Sequence, residues 1–407
     1  MTKADKVYLE LLKDILENGV EKDTRAGRVK SVFGRQLRFD LKEGFPILTT
    51  KKVFTKGIIH ELLWFLQHSM NSHGSMNIEY LVRNGVHIWD DDAYRWFKNE
   101  VAEGFANRPL TNEFFVCVSD DEARPYTKPT LEYWIENEKR HRDVEWLKNI
   151  TKEEFIDLTL QKVEIHGSWM SVYRFGDLGP VYGKQWRHFG DSGRDQIQDV
   201  INKLKNNPND RRMLTVAYNP DVLEDVALPP CHVMFQFYAR ELSNKERMEE
   251  FNRRYLRNEI PQEWFDWFKE YSKGTNEGMD VVMPTDGTSY DMAGIPRLGL
   301  SCMFNMRSQD YVLGNPFNVV SYSLLTHMIA NIVGMLPDEL ICTIGDCHIY
   351  LNQMEGIEEQ LKREGSDNVP YLKIKRKVDN INDYKFDDFE ICNYGPNPPI
   401  KFPLSVG

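Results

Sequence analysis

The chain has 407 residues, of which 41% are hydrophobic, and carries a formal net charge of −11 at pH 7. A chain of this length and composition can bury a large core, so we expect a globular protein. The acidic balance argues against a protein that binds nucleic acids or membrane surfaces through its overall charge, although it allows a local basic pocket for an anion. No stretch approaches the roughly 20 apolar residues of a membrane span.

The six cysteines are spread along the chain and lack the paired spacing of a zinc site. Cys342 and Cys347 come nearest to such a pair, but no second pair completes a site. We therefore predict reduced thiols, as in a cytoplasmic protein, and no bound metal.

The predicted elements begin with an N-terminal segment whose apolar residues repeat with helical spacing from Tyr8 to Leu16. This spacing indicates an amphipathic helix rather than a signal peptide. The segment SVFGRQLRFD alternates in polarity like a strand, and GIIHELLWFLQ reads as an apolar helix. Further along, CHVMFQFYAR and LGLSCMFNMRS predict two strands, and VVSYSLLTHMIANIVGML predicts a buried helix packed on the sheet.

Two blocks differ in character from the rest of the chain. Residues from about 95 to 174 are rich in charge and tryptophan, which indicates a helical insertion on the surface. Residues from about 241 to 296 separate two strands that would otherwise form a simple hairpin. We predict one domain spanning residues 1–407 that carries both insertions, and the sequence assigns neither of them a role.

Cys231 follows two prolines in ALPPCHVMFQFY, at the start of a predicted strand and beside a loop. This position suits a nucleophile, although a lone cysteine is more often a small buried apolar residue. Arginines close to the thiol would lower its pKa and favour the thiolate.

Several arginines occur in settings that suit a fixed anion. They are Arg25 in DTRAGR, Arg211 and Arg212 in NPNDRRM, and Arg307, which is followed by Ser308. A guanidinium binds phosphate oxygens through two parallel hydrogen bonds, and a serine hydroxyl supplies a further donor. Each arginine alone is more often a solvated surface charge, so a phosphate site requires that the fold bring them together.

A series of segments resembles motifs of the thymidylate synthase family in order and nearly in wording. The segments are DTRAGRVKSVFGRQLRFDLKEGFPILTTKKV, IIHELLWFLQ, GDLGPVYGKQWR, NDRRMLTVAYNP, ALPPCHVMFQFY, RSQDYVLGNPFN and GDCHIYLNQMEGIEEQLKRE. The resemblance covers most of the chain outside the two insertions. It implies an α/β (α+β) fold with a central mixed sheet and helices, and a homodimer formed through the face of that sheet.

The resemblance also implies catalytic roles. Cys231 would be the nucleophile that adds to carbon 6 of dUMP. Asn318 would read the uracil edge, because an amide can donate to oxygen 4 and accept from the ring N–H, whereas an aspartate would suit cytosine. Glu61 would organise a proton-carrying water network, and Tyr182 would help to remove the proton from carbon 5. A helix-capping role for Asn318 is the structural alternative.

The remaining implied contacts concern the nucleotide and the folate. The one-carbon donor would be 5,10-methylenetetrahydrofolate, without a metal, and neither a membrane nor a nucleic acid is expected as a partner. His348 could instead make an ordinary structural hydrogen bond. The implied nucleotide contacts are Arg25, His232, Gln236, Arg307, Ser308, Asp310, His348 and Tyr350, with Arg211 and Arg212 serving the partner's site. The implied folate contacts are Asp310, Trp89, Lys51 and Gly314.

Four departures from the usual family wording bear on the product. Met306 stands in NMRS where synthases usually read YQRS, and resembles the MRS of nucleotide hydroxymethylases. Asp92 replaces the second indole of IWDEWA, Phe54 replaces a histidine, and the tail ends in PLSVG. An aspartate in place of an aromatic wall would admit water to the reacting carbon. We therefore expect 5-hydroxymethyl-dUMP, as in bacteriophage enzymes that work in the host cytoplasm; reductive methylation to dTMP is the alternative.

Two functions of other classes are alternatives to catalysis on dUMP. A noncatalytic regulator that binds nucleotides or RNA is disfavoured by the presence of Cys231, Glu61 and Tyr182 and by the acidic net charge. A Cys-His hydrolase built on Cys231 and His348 would need an oxyanion hole and an activated water, which the sequence does not indicate.

Overall fold

The computed structural model describes residues 1–67, 74–102, 115–118, 148–166, 173–273 and 287–404. The chain divides into two compact units. The first comprises Met1–Phe54, Ile197–Thr215 and Cys231–Gly407, and the second comprises Thr55–Gln196 and Val216–Pro230.

The described residues contain both helices and strands. The strands are β1 (Val20–Thr24), β2 (Gly27–Asp40), β3 (Phe115–Val118), β4 (Val163–His166), β5 (Tyr173–Arg174), β6 (Leu214–Val216), β7 (His232–Glu241), β8 (Leu298–Asp310), β9 (Leu336–Tyr350), β10 (Tyr371–Ile374) and β11 (Phe389–Cys392). The α-helices are α1 (Lys3–Asn18), α2 (Thr55–Gln67), α3 (Glu79–Arg83), α4 (Asp90–Trp96), α5 (Lys152–Leu160), α6 (Tyr182–Arg187), α7 (Gln196–Asn206), α8 (Asn244–Leu256), α9 (Gln262–Lys273), α10 (Thr288–Met292), α11 (Gly314–Val333) and α12 (Met354–Lys362).

Six strands form a mixed sheet in the order β1-β2-β9-β8-β7-β6. β8 and β9 run parallel, whereas β2 and β9, and likewise β7 and β8, pair antiparallel. Along β8 the buried residues Cys302, Phe304 and Met306 alternate with more exposed ones, as expected when one face of a strand meets the core. The mixed α/β architecture inferred from the sequence is confirmed.

Helix α11 is buried along most of its length because its sequence is apolar on nearly every face. It packs on β8 and β9 and ends at Gly334, whose positive φ of 71° provides a left-handed cap that a glycine adopts without strain. The prediction of a buried helix on the sheet is therefore confirmed. This helix carries Asn318 in its first turns.

The segment between β7 and β8 folds as a small helical cluster. The two predicted strands pair antiparallel, and α8, α9 and α10 lie between them in the chain. These helices enclose their own apolar core. The indole N–H of Trp264 donates to the carbonyl oxygen of Ser289 at 3.1 Å.

The described part of the 95–174 block is only partly helical. It contains α5, whose N-terminus is closed by a capping box between Thr151 and Glu154. It also contains a three-stranded sheet in the order β3-β4-β5, which the prediction of a helical insertion missed because these strands are very short. Most of the tryptophan-rich stretch that suggested helices lies outside the described residues. Among the described helices, none has the length and apolar character needed to cross a membrane.

Candidate active site

Cys231 immediately precedes β7 and is half-buried. Its carbonyl oxygen accepts a hydrogen bond from the backbone N–H of Arg307 at 3.0 Å, which holds the thiol-bearing turn against β8. Burial raises the pKa of Tyr350, and the negative charges of Asp310 and of a Cys231 thiolate raise it further. These interactions place the sulfur, the Asp310 carboxylate and the Tyr350 phenol in one neighbourhood of the first unit.

The predicted phosphate arginines are all exposed to solvent in the first unit. Arg25 lies in the turn between β1 and β2, and Arg307 projects from β8, where Ser308 is paired with Asp346 of β9. Arg211 and Arg212 precede β6. Arg212 contacts Asp210 through its Nε at 3.2 Å, and the carbonyl oxygen of Arg211 accepts from Gln236 Nε2 at 3.3 Å.

Gly345 allows β9 to lie unusually close to Arg307. A Cβ at this position would lie 2.7 Å from the carbonyl oxygen of Arg307, a distance that real Cβ atoms do not adopt. The glycine in IGDCHIY therefore fixes the backbone of Arg307 against the strand that carries His348 and Tyr350.

Asn318 belongs to a buried chain of amide hydrogen bonds. Its Oδ1 accepts from Gln309 Nε2 at 2.8 Å, and Gln309 Oε1 in turn accepts from Asn315 Nδ2 at 2.9 Å. On its other side, Asn318 Nδ2 lies 3.0 Å from His232 Nε2, and His232 Nδ1 lies 3.1 Å from the hydroxyl of Tyr322. An amide held at both ends has a defined direction, which recognition of a base edge requires.

His232 is a neutral member of this chain. Burial lowers its pKa to about 3, so the imidazole carries no charge near neutral pH. A neutral imidazole offers one donor and one acceptor, which fits its position between an amide and a hydroxyl. His232 was predicted to contact the substrate, and its position shows that it also supports the Asn318 side chain.

Asp310 shapes the turn that leads from β8 into α11. Its Oδ1 accepts from the backbone N–H groups of Val312 at 2.9 Å and Leu313 at 3.0 Å, and its Oδ2 accepts from Gln353 Nε2 at 3.0 Å. Gly314 begins α11 directly after this turn. Oδ1 already accepts two hydrogen bonds, whereas Oδ2 accepts one and keeps acceptor capacity for a ligand.

Lys51 is buried rather than solvated. Its ammonium donates to the carbonyl oxygen of Val312 at 2.7 Å and lies 4.5 Å from the centroid of the Phe402 ring. Burial lowers the pKa of Lys51 to about 7, because the charged form loses its hydration. His348 lies on β9, with Nδ1 3.2 Å from Asp346 and its ring packed edge-on against Tyr350.

Glu61, Trp89 and Tyr182 form a cluster in the second unit. The indole N–H of Trp89 donates to Glu61 Oε1 at 2.7 Å, and the Trp89 ring packs against Tyr182 with centroids 5.8 Å apart. Burial raises the pKa of Glu61 to about 7, while the hydrogen bond from Trp89 opposes this rise. A carboxyl group with such a pKa can accept and release a proton near neutral pH.

Gly183 allows the short helix α6 to lie against α2. A Cβ at position 183 would lie 2.5 Å from the carbonyl oxygen of Phe65, so only glycine permits this approach. Tyr182, the first residue of α6, then packs on the Phe65 ring at 5.1 Å between centroids. The glycine thus helps to position Tyr182 within the second unit.

The three residues singled out for product selection have different environments. Met306 is buried in the sheet, paired with His232 on β7 and Ile344 on β9, and serves as a core residue there. Asp92 Oδ1 accepts from Arg95 Nη2 at 2.5 Å, and burial raises its pKa while Arg95 opposes the rise. Phe54 is 49% exposed. In the tail PLSVG, the structure describes Pro403 and Leu404, whereas residues 405–407 lie outside the described residues.

Sequence reasoning missed several residues that shape the site. Gln309 and Asn315 fix the Asn318 amide, Gln353 contacts Asp310, and Gly183 and Gly345 permit close backbone approaches. Their signals were weak because a single polar residue or glycine in a motif does not show which neighbour it will meet. In the described residues, no group of three or more His, Cys, Asp or Glu side chains is arranged to hold a metal ion.

The family profile and the curated relatives that this chain matches carry the same family description. The family profile described as "Thymidylate synthase" matches residues 6–253 and 287–406. The curated thymidylate synthases of Francisella tularensis subsp. holarctica strains FTNF002-00 / FTA and OSU18 are 36% identical over 413 residues, covering 98% of this chain and 99% of each relative. The thymidylate synthase of Mycoplasma mobile is 34% identical over 401 residues, with coverage of 98% and 99%. This chain belongs to the thymidylate synthase family.

Proposed function

We propose that this chain transfers a one-carbon unit from 5,10-methylenetetrahydrofolate to carbon 5 of dUMP and releases dTMP and dihydrofolate. The relatives that match it over nearly their full length are named thymidylate synthase, which supports reductive methylation over hydroxymethylation. The local environment of Met306 agrees with this choice, because the methionine is a buried core residue.

In the proposed reaction, the Cys231 thiolate forms a bond to carbon 6, and the electron pair of the ring double bond moves toward oxygen 4. Donation from Asn318 Nδ2 stabilises the charge on that oxygen. Carbon 5 then attacks the methylene carbon of the folate after its bond to one folate nitrogen has broken. Loss of the carbon 5 proton and breakage of the second carbon–nitrogen bond leave an exocyclic methylene group on the ring and free tetrahydrofolate. Hydride transfer from tetrahydrofolate to this methylene group completes the methyl group and gives dihydrofolate, while the carbon–sulfur bond breaks and releases the Cys231 thiolate. Arg25, Arg307 and Ser308 hold the phosphate.

The observation that carries the proposal is the state of Glu61. A buried carboxyl group that accepts from Trp89 at 2.7 Å and has a pKa of about 7 is suited to proton transfer at neutral pH. A regulator without catalysis would have no use for this costly burial. Tyr182 packs on the same Trp89 ring, and its proposed role is to help remove the proton from carbon 5.

Release of tritium tests the carbon 5 step directly. Purified protein with [5-³H]dUMP and 5,10-methylenetetrahydrofolate should release tritium to water, and Cys231→Ala should abolish the release. Cys392→Ala is the matched control, since Cys392 is also a half-buried cysteine, and this variant should retain full activity. Intact tritium in dUMP with the wild-type protein would overturn the proposal.

Hydroxymethylation is the second candidate, and Asp92 favours it. An aspartate at this position adds a polar group where the usual synthase wording has an indole, and water capture needs such a polar route. Replacing Asp92 by tryptophan should then shift product from 5-hydroxymethyl-dUMP to dTMP. If wild-type protein forms only dTMP, this candidate is excluded.

We also propose that the protein acts as a homodimer in which the exposed Arg211 and Arg212 serve the partner's phosphate site. Complementation tests this sharing. Cys231→Ala and Arg212→Ala should each be inactive or strongly impaired, and mixing them under conditions of subunit exchange should restore activity, since some sites in the mixed dimer then hold both functional groups. The absence of recovery, with exchange verified by mass, would contradict the shared site.

A further inference from the structure

We propose that Gln309 and Asn315 determine the choice between uracil and cytosine, by fixing the direction in which the Asn318 amide points. The inference rests on the proposed function, in which Asn318 reads the base edge of the nucleotide. Gln309 and Asn315 have exposed fractions of 3% and 1%, so they act from behind the site rather than as contacts of the base. They are positioning residues for specificity.

The need for such a lock follows from the shape of an amide. With its nitrogen toward position 4 of the ring and its oxygen toward position 3, Asn318 matches the oxygen 4 acceptor and ring N–H donor of uracil. With oxygen and nitrogen exchanged, the same side chain matches the amino group and unprotonated ring nitrogen of cytosine. An asparagine therefore selects uracil only when its amide cannot turn.

The Gln309 side of the network opposes this turn. Gln309 Nε2 donates to Asn318 Oδ1 at 2.8 Å, and Gln309 is itself oriented by Asn315 Nδ2, which donates to its Oε1 at 2.9 Å. The thiol of Cys342 also faces Gln309 Oε1, with 4.0 Å between sulfur and oxygen. If Asn318 turned alone, two amide nitrogens would face each other in a buried site, and a donor would lose its acceptor.

The His232 side does not supply the same constraint. Asn318 Nδ2 lies 3.0 Å from His232 Nε2, and the buried imidazole is neutral because its pKa is lowered to about 3. A neutral imidazole can move its proton between Nδ1 and Nε2, so it can pair with either orientation of the amide. Tyr322, whose hydroxyl both donates and accepts, can follow that change. Discrimination therefore depends on Gln309 and Asn315.

Substitutions can reverse the lock rather than only remove it. In Gln309→Glu the new carboxylate accepts but cannot donate, so Asn318 should turn its nitrogen toward it and present the cytosine-matching edge. Asn315→Asp should act in the same direction from one step further away, because Gln309 would turn to donate to the new carboxylate. Gln309→Met, which fills similar volume without polar groups, should only free the amide.

The test measures kcat/KM for dUMP and dCMP, together with the affinity of each nucleotide by calorimetry. Gln309→Glu and Asn315→Asp should lower the preference for dUMP over dCMP by about 100-fold, and Gln309→Met by about 10-fold, since a mismatched buried hydrogen-bonding edge is strongly rejected. Gln360→Glu introduces a carboxylate at another buried glutamine, paired with Thr50 Oγ1, and should keep the wild-type preference. Thermal unfolding identifies variants that fail to fold.

A double variant controls for general destabilisation. In an Asn318→Ala background there is no amide to orient, so adding Gln309→Glu should leave the nucleotide preference unchanged.

Two further outcomes separate this inference from the proposed function. If wild-type protein turns over dUMP but folded Gln309→Glu and Asn315→Asp keep the wild-type preference, the inference is overturned while the function stands. If wild-type protein neither binds nor converts dUMP, both fail.

Discussion

The substitution Glu61→Gln tests the electrostatic state of the proposed proton-transfer residue. Glutamine keeps an oxygen that can accept from the Trp89 indole, as Glu61 does at 2.7 Å, and removes the titrating group. Burial raises the pKa of Glu61 from its ordinary value of 4.5 to about 7. Between these values the folded protein keeps a proton that the unfolded chain has already lost.

This difference makes the folded state progressively less favourable as pH rises through the window from 4.5 to about 7. Each pKa unit corresponds to ~1.36 kcal/mol, so the full contribution is about 3 kcal/mol, and most of it develops between pH 5 and pH 8. Glu61→Gln lacks this pH-dependent loss of stability. From pH 5 to pH 8, the free energy of unfolding of the variant minus that of the wild type should therefore increase by most of this contribution.

Urea unfolding at pH 5 and pH 8 provides the assay, with the wild type and variant compared at each pH. Other displaced groups, such as His232 with its pKa of about 3, titrate equally in both proteins and cancel in the difference. Glu10→Gln on the exposed side of α1 is the control for simple loss of charge. A change below about 0.5 kcal/mol between the two pH values would refute the raised pKa.

Further substitutions probe the positions of neighbouring groups. Trp89→Phe removes the donor to Glu61 Oε1, so the Glu61 pKa should rise further, and the acidic limb of the pH profile of kcat/KM should move upward by about one pH unit. Gly183→Ala places a Cβ against the carbonyl oxygen of Phe65 and should lower the free energy of unfolding by about 1–3 kcal/mol, measured by urea unfolding; an unchanged value would contradict the close approach. Asn318→Asp should shift preference toward dCMP in steady-state kinetics, and retained dUMP preference would exclude its base-reading role.

The main elements of the fold were predictable because they follow from local patterns. Helical spacing near Tyr8 predicted α1, and the apolar stretch after Asn318 predicted α11, since these patterns can bury a face in only one kind of element. The strands β7 and β8 on either side of the 241–296 block were also predicted. The sheet β3-β4-β5 was missed because strands as short as Tyr173–Arg174 leave no periodic signal.

The candidate site was less predictable because its geometry depends on contacts between distant residues. Resemblance pointed to Glu61 and Trp89, but their hydrogen bond joins positions 28 residues apart. Met306 drew attention as a departure from the family wording, yet it is buried between β7 and β9 as a core residue. Gln309 was overlooked inside a motif of recognised residues, since its bonds to Asn315 and Asn318 arise only when β8 turns into α11.

The most direct test of the proposed reaction is identification of its products. The protein is incubated with dUMP and 5,10-methylenetetrahydrofolate, dihydrofolate is followed by absorbance, and the nucleotide is identified by mass. We predict dTMP and dihydrofolate in equal amounts. Formation of 5-hydroxymethyl-dUMP without dihydrofolate would contradict reductive methylation, and recovery of unchanged dUMP would contradict one-carbon transfer altogether.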